Sequence, residues 1–88
     1  MPLVYEIVID DKVIKDLKKI DRHWQKKIVD KIKNTLATNP YTGKKLVGNL
    51  SEFWRLRVGD YRVIYSIDDK IVTVEIMKIS HRKEVYGK

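Results

Sequence analysis

The sequence contains no cysteine, which excludes disulfide bridges, thiolate metal sites and a cysteine nucleophile. Its two histidines, His23 and His81, are far apart in the sequence, so we expect no zinc site. No stretch approaches the roughly 18 to 20 apolar residues that span a membrane, and the first residues lack the basic and apolar segments of a signal peptide. These absences predict a cytoplasmic protein that does not bind membranes.

Acidic residues are in the minority. Lysine and arginine number 19 against 12 aspartates and glutamates, which gives a formal net charge of +7 and an isoelectric point near 9.7. Such a charge attracts phosphate polymers and acidic proteins at long range. Many small proteins, however, are basic merely for solubility. The positions of the cations therefore have to decide whether the charge serves to bind a polyanion or only to keep the protein in solution.

The remaining composition is that of an ordinary folded protein. The chain has 88 residues, of which 43% are hydrophobic and 35% are charged, and the two kinds are interspersed. This length supports one hydrophobic core and leaves no room for a second domain. We therefore expect residues 1–88 to form a single domain.

The pattern of apolar residues predicts an α+β fold. Alternation predicts a strand over residues 3–9, and helical spacing predicts two helices, the first to about residue 20 and the second from Asp21 to about residue 38. A loop over residues 39–49 then leads to three strands, over 53–58, 61–67 and about 71–80. We expect an N-terminal strand, an antiparallel helical hairpin, a three-stranded antiparallel meander packed on the helices, and a short C-terminal tail.

The first two strands of the meander carry the main clue to function. Gly59 and Asp60 predict a two-residue type II′ turn, and in that register Arg57 faces Arg62 while Arg55 is diagonal to Arg62. The other face of this hairpin is apolar and is expected to pack on the helices through Trp54, Leu56, Val58, Tyr61, Val63 and Tyr65.

Guanidinium groups placed this close together repel one another, and their planar donors match phosphate oxygens, so the cluster predicts an anion site. The alternative is a structural network in which Glu75 neutralises the arginines. A two-residue turn at Asp68 and Asp69 would place Glu75 opposite Arg62, whereas a loop that included Lys70 would place Met77 there.

Other residues could complete an RNA site around the arginines. Lys44 and Lys45 lie in the predicted loop, which we interpret as facing the ligand together with Arg55. In the tail, Arg82 could close the site, and Tyr86 could either stack on an unpaired base or pack the tail onto the sheet. His81 could exchange a proton near neutral pH or could be only a turn residue.

Two segments resemble the RelE/ParE toxin superfamily. The first reads R-x-R-x-G-x-Y-R-V-x-Y from Arg55 to Tyr65, and the second reads H-R-x-x-V-Y from His81 to Tyr86. The resemblance covers nearly the whole chain, including the order of the predicted elements, and it is closest to the RelE branch.

The resemblance implies a toxin of a type II toxin–antitoxin system. Such a toxin would be a metal-independent, ribosome-dependent endoribonuclease, or mRNA interferase, that cuts messenger RNA in the ribosomal A site and is neutralised by an acidic, RelB-like antitoxin. By position, the residues that match the family's catalytic and RNA-holding set are Arg55, Arg57, Arg62, Arg82 and Tyr86, and His81 matches a histidine found in some branches.

The implied chemistry needs no cofactor, because the 2′-hydroxyl of RNA attacks the adjacent phosphate and the protein has only to position it and stabilise charge. Relatives with lysine at the positions of Arg55 or Arg57 can use it as a base, which arginine cannot do. The base could therefore be His81, a water or a ribosomal group. Two rival functions are a ParE-like inhibitor of DNA gyrase and a non-catalytic RNA-binding or ribosome-binding module.

Overall fold

The computed structural model describes residues 4–48, 52–81 and 83. Strand β1 spans Glu6–Ile9, helix α1 spans Asp11–Lys18, and helix α2 spans Arg22–Lys31 and continues as a π-helical turn over Ile32–Leu36. A 3₁₀ turn over Pro40–Thr42 leads to strand β2, Lys44–Lys45. The last three strands are β3 (Trp54–Val58), β4 (Tyr61–Asp68) and β5 (Thr73–His81). The α+β class and the helical hairpin followed by a meander are confirmed.

Both helices begin directly after an aspartate. Asp10 and Asp21 occupy the N-cap positions, but neither carboxylate makes a side-chain capping hydrogen bond. At α1 the backbone carbonyl of Asp10 accepts hydrogen bonds from the amides of Val13 and Ile14, at 2.9 and 3.0 Å. The second helical segment ends at Leu36, two residues short of the predicted end.

The sheet has five strands in the order β1-β5-β4-β3-β2. The meander of β3, β4 and β5 is antiparallel, whereas β1 runs parallel to β5. Strand β1 begins later than predicted, and Leu3, like Asn49 at the end of the predicted loop, lies outside the described residues. Strand β2, which pairs with Trp54 and Arg55, lies in the segment predicted as an irregular loop. The prediction missed it because a strand of two residues is too short to show an alternating pattern.

The turn between β3 and β4 is of the predicted type. Gly59 has a φ of +60°. Among the described non-glycine residues only Val72 has a positive φ, which means that the φ of Asp60 is negative. A positive φ followed by a negative one is the pattern of a type II′ turn. This turn sets the register of the hairpin. Arg57 lies opposite Arg62, as predicted, and Trp54 lies opposite Tyr65.

The register of β5 differs from both of the predicted alternatives. The connection from β4 occupies residues 69–72, and a bulge between Ile64 and Tyr65 adds one further residue on β5. Ser80 therefore lies opposite Arg62, and Glu75 lies opposite Ser66, four residues along β4 from Arg62. The prediction that Glu75 or Met77 would face Arg62 was wrong, because neither the longer connection nor the bulge was foreseen.

The two helices cover one face of the sheet. The predicted apolar face of the hairpin is confirmed, since Leu56, Val58, Val63 and Tyr65 are buried and Trp54 and Tyr61 pack against them. The other strands and the helices complete the buried core with Val13, Ile28, Ile32, Leu36, Val74, Ile76 and Ile79. The opposite face of the sheet carries the arginines.

Candidate functional site

Five cations gather at one end of the uncovered sheet face. Residues that are directly paired across strands have their side chains on the same face. One row across the sheet therefore joins Lys44, Arg55, Ile64 and Lys78, and the next row joins Arg57, Arg62 and Ser80. We call the set of Lys44, Arg55, Arg57, Arg62 and Lys78 the basic end.

Arg62 is at the centre of the basic end. It lies opposite Arg57 and diagonal to Arg55 and Lys78, and it is only 7% exposed. Arg57 and Lys78 are exposed and Arg55 is half-buried, so the cations form a shallow surface with one deep-set guanidinium. Like charges packed in this way favour an anion that lies over them.

A buried tyrosine holds the loop that carries Lys44. The hydroxyl of Tyr65 donates a 2.7 Å hydrogen bond to the carbonyl of Pro40, and burial raises the pKa of Tyr65 to about 12. Gly43 packs so closely that a Cβ there would overlap the Tyr65 hydroxyl and the backbone oxygen of Arg55. The absence of a side chain at Gly43 thus brings Lys44 beside Arg55.

Two of the residues predicted for the site lie on the other side of the sheet. Lys45 pairs with Trp54, whose side chain packs toward the helices, so Lys45 does not join Lys44 on the arginine face. His81 pairs with Tyr61, with their ring centroids 5.1 Å apart, and its Nδ1 accepts a 3.1 Å hydrogen bond from the Lys83 amide. The structure therefore separates His81 from Arg62.

Sequence reasoning missed Lys78, which the bulge in β5 moves onto the arginine face. Nothing in the local pattern around Lys78 reveals the bulge, so its side could not be predicted. Arg82 and Tyr86 lie outside the described residues. Within the described ranges, no three histidine or carboxylate side chains converge as a metal ion would require.

The chain matches a known protein family over almost its whole length. The family model described as the ParE toxin of the type II toxin–antitoxin system parDE matches residues 7–86. The chain belongs to the RelE/ParE superfamily of type II toxins. The toxin is 34% identical over 83 residues to toxin RelE of Mycobacterium tuberculosis, an alignment that covers 93% of this chain and 86% of the relative.

Solved structures support the same assignment. The toxin is similar to a chain in the crystal structure of a RelBE toxin–antitoxin complex from Mycobacterium tuberculosis, with a TM-score of 0.86, 29% identity and coverage of 93% and 95% of the two chains. An archaeal RelE–RelB complex from Pyrococcus horikoshii gives a TM-score of 0.74 and 26% identity, with coverage of 91% and 97%. The toxin is thus RelE-like. In its described residues, none of the helices is both long and apolar enough to cross a membrane.

Proposed function

We propose that this toxin is a metal-independent endoribonuclease that cuts messenger RNA in the A site of the ribosome, and that an acidic, RelB-like antitoxin neutralises it. The observation that supports this most strongly is the basic end, where Arg57, Arg55 and Lys78 surround the deep-set Arg62. An RNA backbone carries the phosphates that such a cluster recognises. An acidic antitoxin would cover the same charges and remove their repulsion.

The reaction that we propose is an attack by the ribose 2′-hydroxyl on the adjacent phosphorus. The new bond joins O2′ to phosphorus, the bond from phosphorus to O5′ breaks, and a 2′,3′-cyclic phosphate and a free 5′-hydroxyl result. Arg62 would hold the phosphate oxygens, with Arg57 and Arg55 stabilising the charge that accumulates in the transition state. By the family pattern, Arg82 and Tyr86 would join them, Tyr86 stacking on a base.

The proton of the 2′-hydroxyl needs an acceptor. An arginine guanidinium does not act as a base in proteins. His81 faces Tyr61 on the other side of the sheet, so it is not used in this mechanism. We therefore propose that the basic end acts by orientation and charge, that a water or a ribosomal group accepts this proton, and that a second water gives a proton to O5′ as it leaves.

Induction of the toxin in cells, followed by mapping of messenger RNA ends, tests this function. Arg57 is exposed, so Arg57→Ala should fold normally and should reduce new RNA ends by about a hundredfold, the usual effect of losing one transition-state contact. Lys33→Ala, which removes one exposed charge from the helical side, is the matched control and should cleave like the wild type. Growth arrest without new RNA ends would contradict the proposal.

A second candidate is inhibition of DNA gyrase, which a ParE-like function implies; the family model that matches residues 7–86 is the one described as the ParE toxin. In that case the same induction should produce double-strand breaks in DNA, and Arg57→Ala should leave messenger RNA ends unchanged. A non-catalytic RNA-binding module would produce neither kind of damage. The two measurements, made on the same cells, separate all three functions.

A further inference from the structure

The uncovered sheet face reverses its charge beyond the basic end. Along β4 and β5 the next rows are Ser66–Glu75–Val8 and Asp68–Thr73–Glu6, and Glu52 precedes β3 at the same end. The four acidic side chains Glu6, Glu52, Asp68 and Glu75 are all exposed. We call this part of the face the acidic end. It is an exception on a protein whose net charge is +7.

The acidic end also contains a shallow cavity whose walls are partly apolar. The cavity has a volume of about 410 Å³, and Phe53, Ile71 and Met77 line it together with Glu52 and Glu75. Ile71 and Met77 are 66% and 42% exposed, and Val8, directly opposite Glu75, is 41% exposed. Large apolar side chains gathered beside carboxylates on an uncovered sheet are typical of a surface that a partner covers.

We propose that the acidic end docks a basic and apolar stretch of the antitoxin, next to the acidic stretch that covers the basic end. This inference rests on the antitoxin partnership of the proposed function. The cavity would take a large apolar side chain against Phe53 and Met77, and the rim carboxylates would pair with a lysine or arginine beside it. One antitoxin segment would thus match both halves of the face.

The dimensions of the sheet fit a single extended segment. Arg62 and Ser66 are four residues apart on β4, which at about 3.3 Å per residue is roughly 13 Å. An extended partner covers that distance with about four residues, so its acidic and basic stretches need to be only a few residues apart. The charges argue against RNA at the acidic end, because four carboxylates repel a phosphate backbone.

Two designed peptides of about twelve residues, each labelled with a fluorophore, test this docking. The first carries a block of glutamates followed by alternating leucine and arginine. The second has the same glutamates followed by serine and glycine. On the wild-type toxin the first peptide should bind about tenfold more tightly, as anisotropy measures, because it alone can use the acidic end.

Charge reversal at the acidic end gives the decisive comparison. Glu75→Lys should abolish the preference for the first peptide, and Met77→Ser should reduce it. Asp30→Lys makes the same charge change on the exposed surface of α2 and should preserve the preference. Equal binding of the two peptides to the wild type, no binding of either, or an equal loss with Asp30→Lys would overturn the proposal.

Messenger RNA ends mapped with Glu75→Lys separate this inference from the proposed function. Cleavage at unchanged positions, with the peptide preference lost, supports docking of a protein partner. A change in the bases that flank the cleavage sites would mean that the acidic end contacts RNA, and it would overturn the inference. If the wild type made no RNA ends but still preferred the first peptide, the nuclease proposal would fail and the docking surface would stand.

Discussion

Gly59 connects the arginine hairpin to the helical layer. Its φ of +60° lies in a region that side chains rarely adopt, and a Cβ there would overlap the ring of Trp24 on α2. Gly48→Ala is a matched control, because Gly48 has a φ of +71° but a Cβ there meets no described atom within 4 Å. We expect Gly48→Ala to lower the free energy of unfolding by about 1 kcal/mol.

Gly59→Ala should cost clearly more than Gly48→Ala, by about a further 1 to 2 kcal/mol, since Trp24 has to move as well. Urea denaturation of both variants measures the difference. Equal losses would show that Trp24 moves aside without cost and that the turn is not held by the helix.

Tyr65 makes the stability of the fold depend on alkaline pH. The pKa of Tyr65 is raised to about 12 because burial disfavours the phenolate, whereas an unfolded tyrosine has a pKa of about 10. Between these two values the unfolded chain releases a proton that the folded chain keeps, so stability is full below pH 10 and falls as the pH rises toward 12.

Tyr65→Phe should reduce the loss of stability between pH 10 and pH 12. Part of the loss should remain, because the hydrogen bond to Asp69 raises the pKa of Tyr41 to about 12 as well. At pH 7 the same variant should be less stable by about 1 kcal/mol or more, because the buried carbonyl of Pro40 loses its donor. Urea denaturation at pH 7 and pH 11 measures both effects. An unchanged slope with pH would contradict the account of Tyr65.

At the scale of elements, a hydrogen-bonded clamp joins three segments. Asp69, in the β4–β5 connection, accepts hydrogen bonds from the hydroxyls of Tyr5, at 2.6 Å, and Tyr41. These two donors, Tyr41 first, hold the pKa of Asp69 below its usual value. The stabilisation is therefore present above pH 4, where an unfolded aspartate is also ionised, and it is lost as the pH falls through the lowered pKa.

Asp69→Asn should lower the melting temperature at pH 7, and the gap to the wild type should narrow as the pH is taken below 4. Thermal unfolding at pH 7 and pH 3 measures this. Asp30→Asn, on the exposed surface of α2, changes the same charge away from the clamp and should show no such narrowing. A difference in melting temperature that stays constant with pH would mean that the ionisation of Asp69 does not stabilise the fold.

The elements also show how far the sequence predicts this fold. The β3–β4 hairpin was predictable because a Gly-first two-residue turn sets the register and the apolar residues all sort to one face. The partner of Arg62 on β5 was not predictable. The register of β5 against β4 depends on two features. One is a four-residue connection in which Val72, a β-branched residue, has a φ of +50°, and the other is a bulge that no residue type predicts. For this reason Lys78 and Ser80 were missed.

Across the whole molecule, cations lie on both layers, and we expect RNA to bind only the sheet face. Each phosphate contact with single-stranded RNA contributes about 0.7 to the slope of log affinity against log salt concentration. Lys78→Ala should therefore lower the slope by about 0.7, and Lys33→Ala on the helical side should leave it unchanged. Fluorescence anisotropy of a labelled single-stranded RNA over a salt series measures this. An equal change of the slope in both variants would mean that RNA does not bind preferentially to the sheet face.

Purified ribosomes loaded with a defined messenger RNA test whether Arg62 and its neighbours act on a scissile RNA phosphate. The wild-type toxin should release an RNA ending in a 2′,3′-cyclic phosphate. Arg62→Lys, which keeps the charge but loses the planar fork of donors, should cleave about a hundredfold more slowly while remaining folded by circular dichroism. Cleavage by folded Arg62→Lys at the wild-type rate would contradict the account.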